Sequence, residues 1–356
     1  MVLTPLRVVV VGRTQAGGAV SLGDSHLARA LLGLGHRVTW VDPPRRWGSA
    51  ATGGSVVDRL QVATPRVPPG AGTSLLAGVV DRLVARVVAS QGDVDLLLVA
   101  DPRRTGVAAL VEDTRSAYWC RDHFEAGGAG HARSAARERR HLGAYDLVTG
   151  VSPTVVASLA DAAPDAVVVR NGCDAEHFGR TPSSTGDRRS TLGFLGGVGW
   201  RVDVPLLAAV ARARPDWRLL IIGEAAPGVL ADLPNVEQLG RVPYEAVPEA
   251  LAPVDVGLVP YLDNAFNRAS FPLKVFEYLA AGRPVVSSPV DALQGMDPFV
   301  RVVSGLDATV AAVAAALQGT PQDQDCRRLG AANSWTERAS RLLELVGLAP
   351  GSPDVG

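Results

Sequence analysis

Short apolar runs alternate with helical segments along most of the chain. Strands are predicted at 6–11, 37–41 and 96–100, with helices between the first two and at 75–89. The stretch 43–72 interrupts the alternation, because it is rich in Pro, Gly and Arg and predicts an irregular excursion. The remaining pattern predicts an α/β fold, in which a parallel sheet carries helices on both faces.

A polar break divides this pattern. Residues 179–190 contain almost no apolar side chain and predict a linker, after which the alternation restarts. We therefore predict two Rossmann-like, doubly wound domains facing each other across a cleft, at 1–178 and 191–334. A C-terminal helix and tail, 335–356, are expected to pack back on the N-terminal domain. Ligands are expected at the carboxyl ends of the parallel strands.

Composition and charge narrow the class of function. The chain has 356 residues, of which 47% are hydrophobic and 20% charged, enough apolar material for two cores. A formal net charge of −1 argues against nucleic acid as the main partner. We find no signal-peptide pattern and no apolar run of about 18 residues. The three widely spaced cysteines favour a reducing cytoplasm over a disulfide or metal framework.

Lys274 is the one lysine in a chain that has 35 Lys and Arg residues together. It lies in a helix predicted to begin at Pro272, after a strand at 254–260. Lys presents a compact charge where Arg presents a wide planar fork, so a narrow phosphate site can require Lys. Glu277 follows three residues later and suits ribose hydroxyls. The alternative is a surface ion pair between Lys274 and Glu277.

The segment 271–282 resembles the donor-binding motif of GT-B glycosyltransferases of the family 4 type, in particular the teichuronic-acid and xanthan glucuronosyltransferase subgroups. Segments 233–244 and 171–178 match that family in order and spacing. The resemblance implies a metal-independent enzyme without a cofactor. It would move a sugar from a nucleotide-diphosphate sugar, with UDP first, to a hydroxyl of a glycan precursor or natural product. One departure is Ala269, where the family has the first glutamate of a conserved pair.

The resemblance also implies roles for individual residues. Lys274 would stabilise the diphosphate during catalysis, and Glu277 would bind ribose. The loop at 241–244 would hold the base, and the glycine turn at 196–199 would approach the phosphates closely. The implied donor-binding residues besides Lys274 and Glu277 are Gly196, Gly197, Gly199, Arg201, Arg241, Val242, Tyr244, Tyr261, Phe271, Pro272 and Leu273.

The N-terminal half is expected to bind the acceptor. Asp122 and His123 follow a predicted strand; Asp122 is our first choice as general base and His123 the second, with a loop cap or salt bridge as the alternative. Further acceptor-binding candidates are Gln15, Gly17, Gly18 and His26. The basic run 131–141 could lean on the inner face of an anionic membrane, and a solvated helix face is its alternative.

Two other functions stay open at this point. Nucleotide-sugar 2-epimerases share the fold and the donor site but need no acceptor pocket. A non-catalytic, glycosyltransferase-like binding subunit would explain the alanine at position 269. The pattern predicts no particular oligomeric state.

Overall fold

The computed structural model describes residues 4–17, 23–49, 56–57, 59–68, 76–183, 189–226, 228–319 and 321–348. They form two compact units: unit 1 within Met1–Arg170 and Trp335–Gly356, and unit 2 within Asn171–Ser334. The predicted end of the first domain at 178 is therefore eight residues too late. Asn171 joins unit 2 because its Nδ2 donates to the carbonyl of Phe271 at 2.7 Å. Cys173 N likewise donates to the carbonyl of Asn333 at 3.1 Å.

Unit 1 is a mainly parallel sheet flanked by helices. Its strands are β1 (Arg7–Val11), β2 (Arg37–Val41), β3 (Arg45–Arg46), β4 (Val56–Val57), β5 (Leu60–Ala63), β6 (Arg66–Val67), β7 (Leu96–Val99), β8 (Arg115–Cys120), β9 (Leu147–Gly150) and β10 (Val167–Val168). Its helices are α1 (Gly23–Gly33), α2 (Ala77–Ala89), α3 (Ala129–His141), α4 (Pro153–Leu159) and, from the end of the chain, α12 (Trp335–Leu345). The stretch predicted to be irregular thus contains four short strands.

The strand order of the unit 1 sheet reverses direction near its centre, between β1 and β7. The order is β10-β9-β8-β7-β1-β2-β5-β4, with only β4 antiparallel to its neighbour, and β3 pairs separately with β6. The chain first moves from β1 to β2 and later returns to the other side of β1 as β7. The loops that follow β1 and β7 therefore diverge, and such a switch point is where open α/β sheets bind ligands.

Unit 2 repeats this architecture with six parallel strands. They are β11 (Thr191–Leu195), β12 (Arg218–Ile222), β13 (Val236–Gly240), β14 (Val256–Val259), β15 (Val285–Ser287) and β16 (Val300–Val302), in the order β13-β12-β11-β14-β15-β16. The helices are α5 (Ala175–Gly179), α6 (Val204–Ala213), α7 (Val247–Leu251), α8 (Ala265–Ala269), α9 (Lys274–Ala280), α10 (Leu306–Ala316) and α11 (Asp323–Ala331). Its switch point lies between β11 and β14.

Helix α9 begins at Lys274, two residues later than predicted. An α-helical bond from Val275 N would reach the carbonyl of Phe271, which instead accepts the side-chain amide of Asn171. Val275 N bonds to the carbonyl of Pro272 at 3.2 Å, a tighter turn. Lys274 therefore stands at the first position of the regular helix.

Tyr278 fixes α9 to the end of β11. Its hydroxyl accepts from Leu195 N at 2.6 Å and donates to the carbonyl of Gly193 at 2.9 Å. Burial raises the pKa of Tyr278 well above its usual value, so the phenol stays protonated. Its ring fills the space above Gly257, where a Cβ would overlap it. The helix that carries Lys274 is thereby held in register with the loop after β11.

The beginning of the predicted linker is tied to unit 2. The buried Arg283 donates from Nη2 to the carbonyl of Pro182 at 2.8 Å, and Arg327 Nη2 donates to that of Thr181 at 2.8 Å. Residues 184–188, the middle of the predicted linker, lie outside the described residues.

Helix α12 lies in unit 1, where it packs against α1. Trp335 opens the helix, and its ring stacks on His26 with centroids 5.7 Å apart and an interplanar angle of 4°. The same ring meets Trp119 of β8 edge-on at 5.9 Å. The last turns of the chain therefore complete the core of unit 1.

Candidate functional site

Three glycines end three adjacent strands at the switch point of unit 2. The first is Gly196, which follows β11 with a φ of +116°. The second is Gly223, which follows β12 with a φ of +152°, and the third is Gly240, the last residue of β13, with a φ of +69°. A Cβ on Gly223 would overlap the carbonyl of Gly196, so the two loops pass each other backbone to backbone. The predicted site residues included Gly196 but not the other two, although Gly223 directly follows the apolar strand β12.

Lys274 lies directly beside this glycine turn. Its Nζ is 4.1 Å from the centroid of the Phe194 ring and 5.4 Å from that of Tyr261. A Cβ on Gly196 would stand 3.2 Å from the same Nζ. Within the residues that the structure describes, Lys274 forms no ion pair, so the surface pair with Glu277 is not made. The ammonium is left available to a ligand over two aromatic faces.

Arg201 brings a second cation to the Tyr261 ring. Its guanidinium carbon lies 4.7 Å from the centroid of Tyr261 and 5.0 Å from that of Phe266. Asn267, fully buried and missed by the sequence prediction, accepts from Arg201 Nε at 2.8 Å. Arg201 Nη2 is buried with no hydrogen-bond partner among the described residues. The guanidinium is thus held by packing and an amide rather than by a carboxylate.

Glu277 sits half-buried on α9, one turn after Lys274. Burial raises its pKa to about 7, the charge of Lys274 opposes that rise, and Asp174 adds to it. Asp174 is itself the cap of α5, accepting from His177 N at 3.1 Å. A carboxyl with this pKa titrates near neutral pH, so the affinity of any ligand that needs it ionised would change with pH.

The predicted base-binding loop is anchored by a histidine that the sequence prediction missed. The ring of His177 stacks on Tyr244 with centroids 4.2 Å apart, and His177 Nε2 donates to the carbonyl of Tyr244 at 2.9 Å. Arg241 is exposed and lies 3.4 Å from Glu224, while Val242 is half-buried. One face of the Tyr244 ring is therefore occupied from within unit 2.

The other donor candidates differ in how far solvent reaches them. Gly197 and Gly199 are exposed, whereas Phe271 and Pro272 are buried and Leu273 is half-buried. Ala269, the position of the departure from the family motif, is fully buried. A glutamate at this position would therefore place its side chain in the core of unit 2.

In unit 1 the predicted general bases follow β8. Asp122 has one oxygen 3.7 Å from Arg13 Nη1, and His123 Nδ1 is buried with no hydrogen-bond partner in the described part of the chain. Gln15 and Gly17 are exposed, in the loop after β1. Of the remaining acceptor candidates, Gly18 lies outside the described residues, and the ring of His26 packs on α12.

Some of the basic residues of α3 form hydrogen bonds within unit 1. Arg137 donates to the carbonyl of Arg103 at 2.8 Å and to Asp81, and Arg139 donates to the carbonyl of Ser158 at 2.6 Å. Arg133 and Arg140 remain exposed. In the described ranges, no helix is long and apolar enough to cross a membrane. Contact of α3 with a membrane surface stays a prediction.

The segment that holds the glycine turn and Lys274 matches a known protein family. Residues 189–320 match the family model described as Glycosyl transferases group 1. The chain is also similar to TuaH of Bacillus subtilis (strain 168), named as a candidate teichuronic acid biosynthesis glycosyltransferase, with 34% identity over 145 residues. That match covers 37% of this chain and 36% of the relative, about a third of its length.

Two solved structures resemble the chain over nearly its full length. A sucrose-phosphate synthase from Thermosynechococcus elongatus has a TM-score of 0.73 and 14% identity, covering 96% of this chain and 98% of its own. HepE from Anabaena, solved in complex with UDP, has a TM-score of 0.68 and 14% identity, covering 96% and 100%. At such identities the likeness establishes the fold, and the predicted GT-B fold and the predicted resemblance are confirmed.

Proposed function

We propose that this chain, whose residues 189–320 form a group 1 glycosyltransferase domain, transfers a sugar from a nucleotide-diphosphate sugar to an acceptor hydroxyl. The observation that carries the proposal is the placement of Lys274 Nζ beside the Gly196 turn, at the switch point of unit 2. UDP is the proposed nucleotide, which the UDP complex of HepE supports.

The chemistry follows from where charge develops. As the bond between the sugar C1 and the diphosphate oxygen breaks, the leaving diphosphate gains negative charge, which Lys274 and Arg201 stabilise. Glu277 binds the ribose hydroxyls, and the loop of Tyr244 holds the base. The acceptor oxygen forms the new bond to C1 and gives its proton to Asp122, for which His123 is the alternative.

The proposal extends to the setting of the reaction. The enzyme acts in the cytoplasm on a glycan precursor or natural product, with α3 leaning on the inner membrane face where the acceptor is lipid-linked. It needs no resident metal ion or cofactor. Treatment with a chelator is therefore expected to leave UDP affinity and turnover unchanged, and restoration of lost activity by a divalent cation would contradict this part.

A binding-only function is the second candidate, and Ala269 is the observation that favours it. A subunit of this kind would bind the nucleotide without releasing it from a sugar donor. Incubation with a UDP-sugar distinguishes the candidates. A transferase releases UDP only with an acceptor present, an epimerase changes the donor without an acceptor, and a binding subunit does neither.

The first experiment is thermal unfolding with UDP, GDP, dTDP and NAD. A ligand at about 100 times its dissociation constant stabilises the folded state by roughly 2.7 kcal/mol. We expect UDP to raise the melting temperature and NAD to have no effect. Flat curves for all three diphosphates would contradict the donor site, and a shift with NAD alone would contradict the whole assignment.

A further inference from the structure

Two arginines that the proposed chemistry does not use lie at the switch point of unit 1. Arg13 follows β1 and Arg121 follows β8, at the carboxyl ends of strands on either side of β7. They stand beside the proposed bases Asp122 and His123. This position is the ligand-binding edge of a doubly wound sheet.

The two buried carboxylates nearby are already committed. Asp101 is bound by its neighbour Arg103 through Nε at 2.8 Å and Nη2 at 2.8 Å. Asp24 is fully buried and accepts the backbone N–H groups of Arg13 and Ser25, each at 3.1 Å. Burial lowers the pKa of Arg121, but the charges of Asp24, Asp122 and Asp101 are among those that outweigh it, so the pKa is raised.

Arg121 is buried with a distant carboxylate and with one donor unused. Its side chain is 8% exposed, and its nearest carboxylate oxygen, on Asp24, is 3.7 Å from Nη1. A charge-assisted hydrogen bond of this kind is typically about 2.7–2.9 Å long. Arg121 Nε has no hydrogen-bond partner among the described residues. A buried guanidinium with an unused donor is costly, and an acceptor supplied by a ligand would remove that cost.

Arg13 adds a second charge that is only loosely held. Its Nη1 is 3.7 Å from Asp122 and its guanidinium carbon lies 5.4 Å from the centroid of the Phe124 ring. Burial lowers the pKa of Arg13, and the charge of Arg121 lowers it further, so the two guanidinium groups repel each other. An anion between them would relieve that repulsion. His123 Nδ1, also without a partner in the described residues, lies in the same segment.

We propose that Arg13 and Arg121 bind an oxyanion, a phosphate or a carboxylate, carried by the acceptor. The anion site stands on its own contacts, and only its assignment to the acceptor rests on the proposed function. The carboxylate of Asp122 is partly exposed, and its one ion pair in the described residues is with Arg13 at 3.7 Å, so it remains available to the acceptor hydroxyl. Acceptors that carry an acidic group are therefore preferred over neutral ones.

The test measures binding of inorganic phosphate and of acetate by calorimetry. The parent is Lys274→Ala, which removes one of the two cations of the donor site and leaves Arg201. Arg13→Gln in that parent is expected to weaken anion binding at least about tenfold, the effect of losing a charge-assisted contact. The matched control is Arg115→Gln, at the opposite end of β8, where an exposed arginine pairs with Asp146. Its affinities are expected to match those of the parent.

Two results would overturn the anion site. One is a parent that binds neither anion, and the other is an equal loss in Arg13→Gln and Arg115→Gln. Arg121→Lys is a second variant that keeps the buried charge, and it is expected to weaken the binding of both anions because the planar fork that matches phosphate and carboxylate is lost. A preference for phosphate identifies a phosphorylated acceptor, and a preference for acetate an acidic sugar. UDP binding by the unmodified chain tests the donor site separately.

Discussion

At the residue scale, the shape of Lys274 matters as much as its charge. Its Nζ lies against the Phe194 ring and the Gly196 turn, where we expect the wider guanidinium of an arginine not to fit. Lys274→Ala is expected to weaken UDP binding roughly 10- to 100-fold, and Lys274→Arg to restore little of it. Uridine, which lacks the diphosphate, should bind Lys274→Arg as it binds the unmodified chain, because both keep the positive charge that lowers the pKa of Glu277. Full affinity in Lys274→Arg, measured by calorimetry, would contradict the narrow site.

Glu277 is expected to make nucleoside binding depend on pH. Its pKa of about 7 means that the carboxylate needed by ribose is scarce below neutral pH. The ionised fraction rises from about a tenth at about pH 6 to about nine-tenths at about pH 8, so uridine affinity should rise roughly ninefold. Uridine is the suitable probe, since it has no phosphate that titrates. Glu277→Gln is expected to flatten this profile, and an unchanged slope in that variant would assign the titration elsewhere.

The two donor residues that the sequence predicts from one motif, Lys274 and Glu277, lie close together in the chain. Lys274 and Glu277 are three positions apart, and helical spacing alone brings them to one side. Asn267, His177 and Arg121 were missed because their roles depend on partners far away in the chain. Asn267 holds Arg201 across 66 positions, and His177 holds Tyr244 across 67. Such pairings follow from strand order rather than from local spacing.

At the scale of elements, the loops after β11 and β12 pass close to each other. The effect of this close approach on UDP binding can be distinguished from the destabilisation that a positive φ causes. Gly223→Ala places a Cβ against the carbonyl of Gly196, whereas Gly228→Ala meets nothing within 4 Å at a φ of +81°. Both changes carry a backbone cost of about 1–3 kcal/mol. We expect only Gly223→Ala to weaken UDP binding as well, because it displaces the Gly196 turn. Equal UDP affinities in the two variants would contradict this.

Helix α3 and strand β8 share a buried carboxyl that makes stability depend on pH. Glu138 accepts from the hydroxyl of Tyr118 and from Cys120 Sγ, and burial raises its pKa to about 7. Between its unfolded value of 4.5 and about 7, the folded state keeps a proton that the unfolded state releases. Stability is therefore greatest below that window and falls by roughly 3 kcal/mol as pH rises through it.

Glu138→Gln is expected to remove this fall in the unfolding free energy of unit 1, measured with denaturant at several pH values. Glu125→Gln is the control, because Glu125 is exposed in its pair with Arg139. The pKa of Glu277 is also raised, so the unfolding free energy of unit 2 is expected to depend on pH in the same direction in both variants. A slope in unit 1 that is the same in both variants would contradict the role of Glu138.

The alternating pattern predicted the long elements well, since buried parallel strands such as β7 and β11 appear as continuous apolar runs. It did not predict β3 to β6, whose two to four residues are too short to show a period. It also placed the start of α9 too early, because the carbonyl that would begin the helix is taken by Asn171. Hydrogen bonds between distant segments decide such boundaries.

At the scale of the whole molecule, α12 is expected to control the stability of unit 1. Trp335→Ala removes the ring that stacks on His26 and meets Trp119, and a change of this size typically costs about 3–5 kcal/mol. Trp47→Ala is the control, since that ring is 61% exposed in the same unit. Calorimetry should show unit 1 melting earlier in Trp335→Ala, while UDP still stabilises unit 2. Equal melting of the two variants would contradict this.

The return of the chain to unit 1 has a consequence for biosynthesis. A ribosome delivers the first 170 residues of unit 1, then all of unit 2, and only afterwards the helix that carries Trp335. At about 5–20 residues per second, the 164 intervening residues (171 to 334) take roughly 10–30 s to translate. Throughout that delay the nascent α1 presents its apolar side to chaperones and proteases. Unit 2, which is continuous, reaches its final fold first.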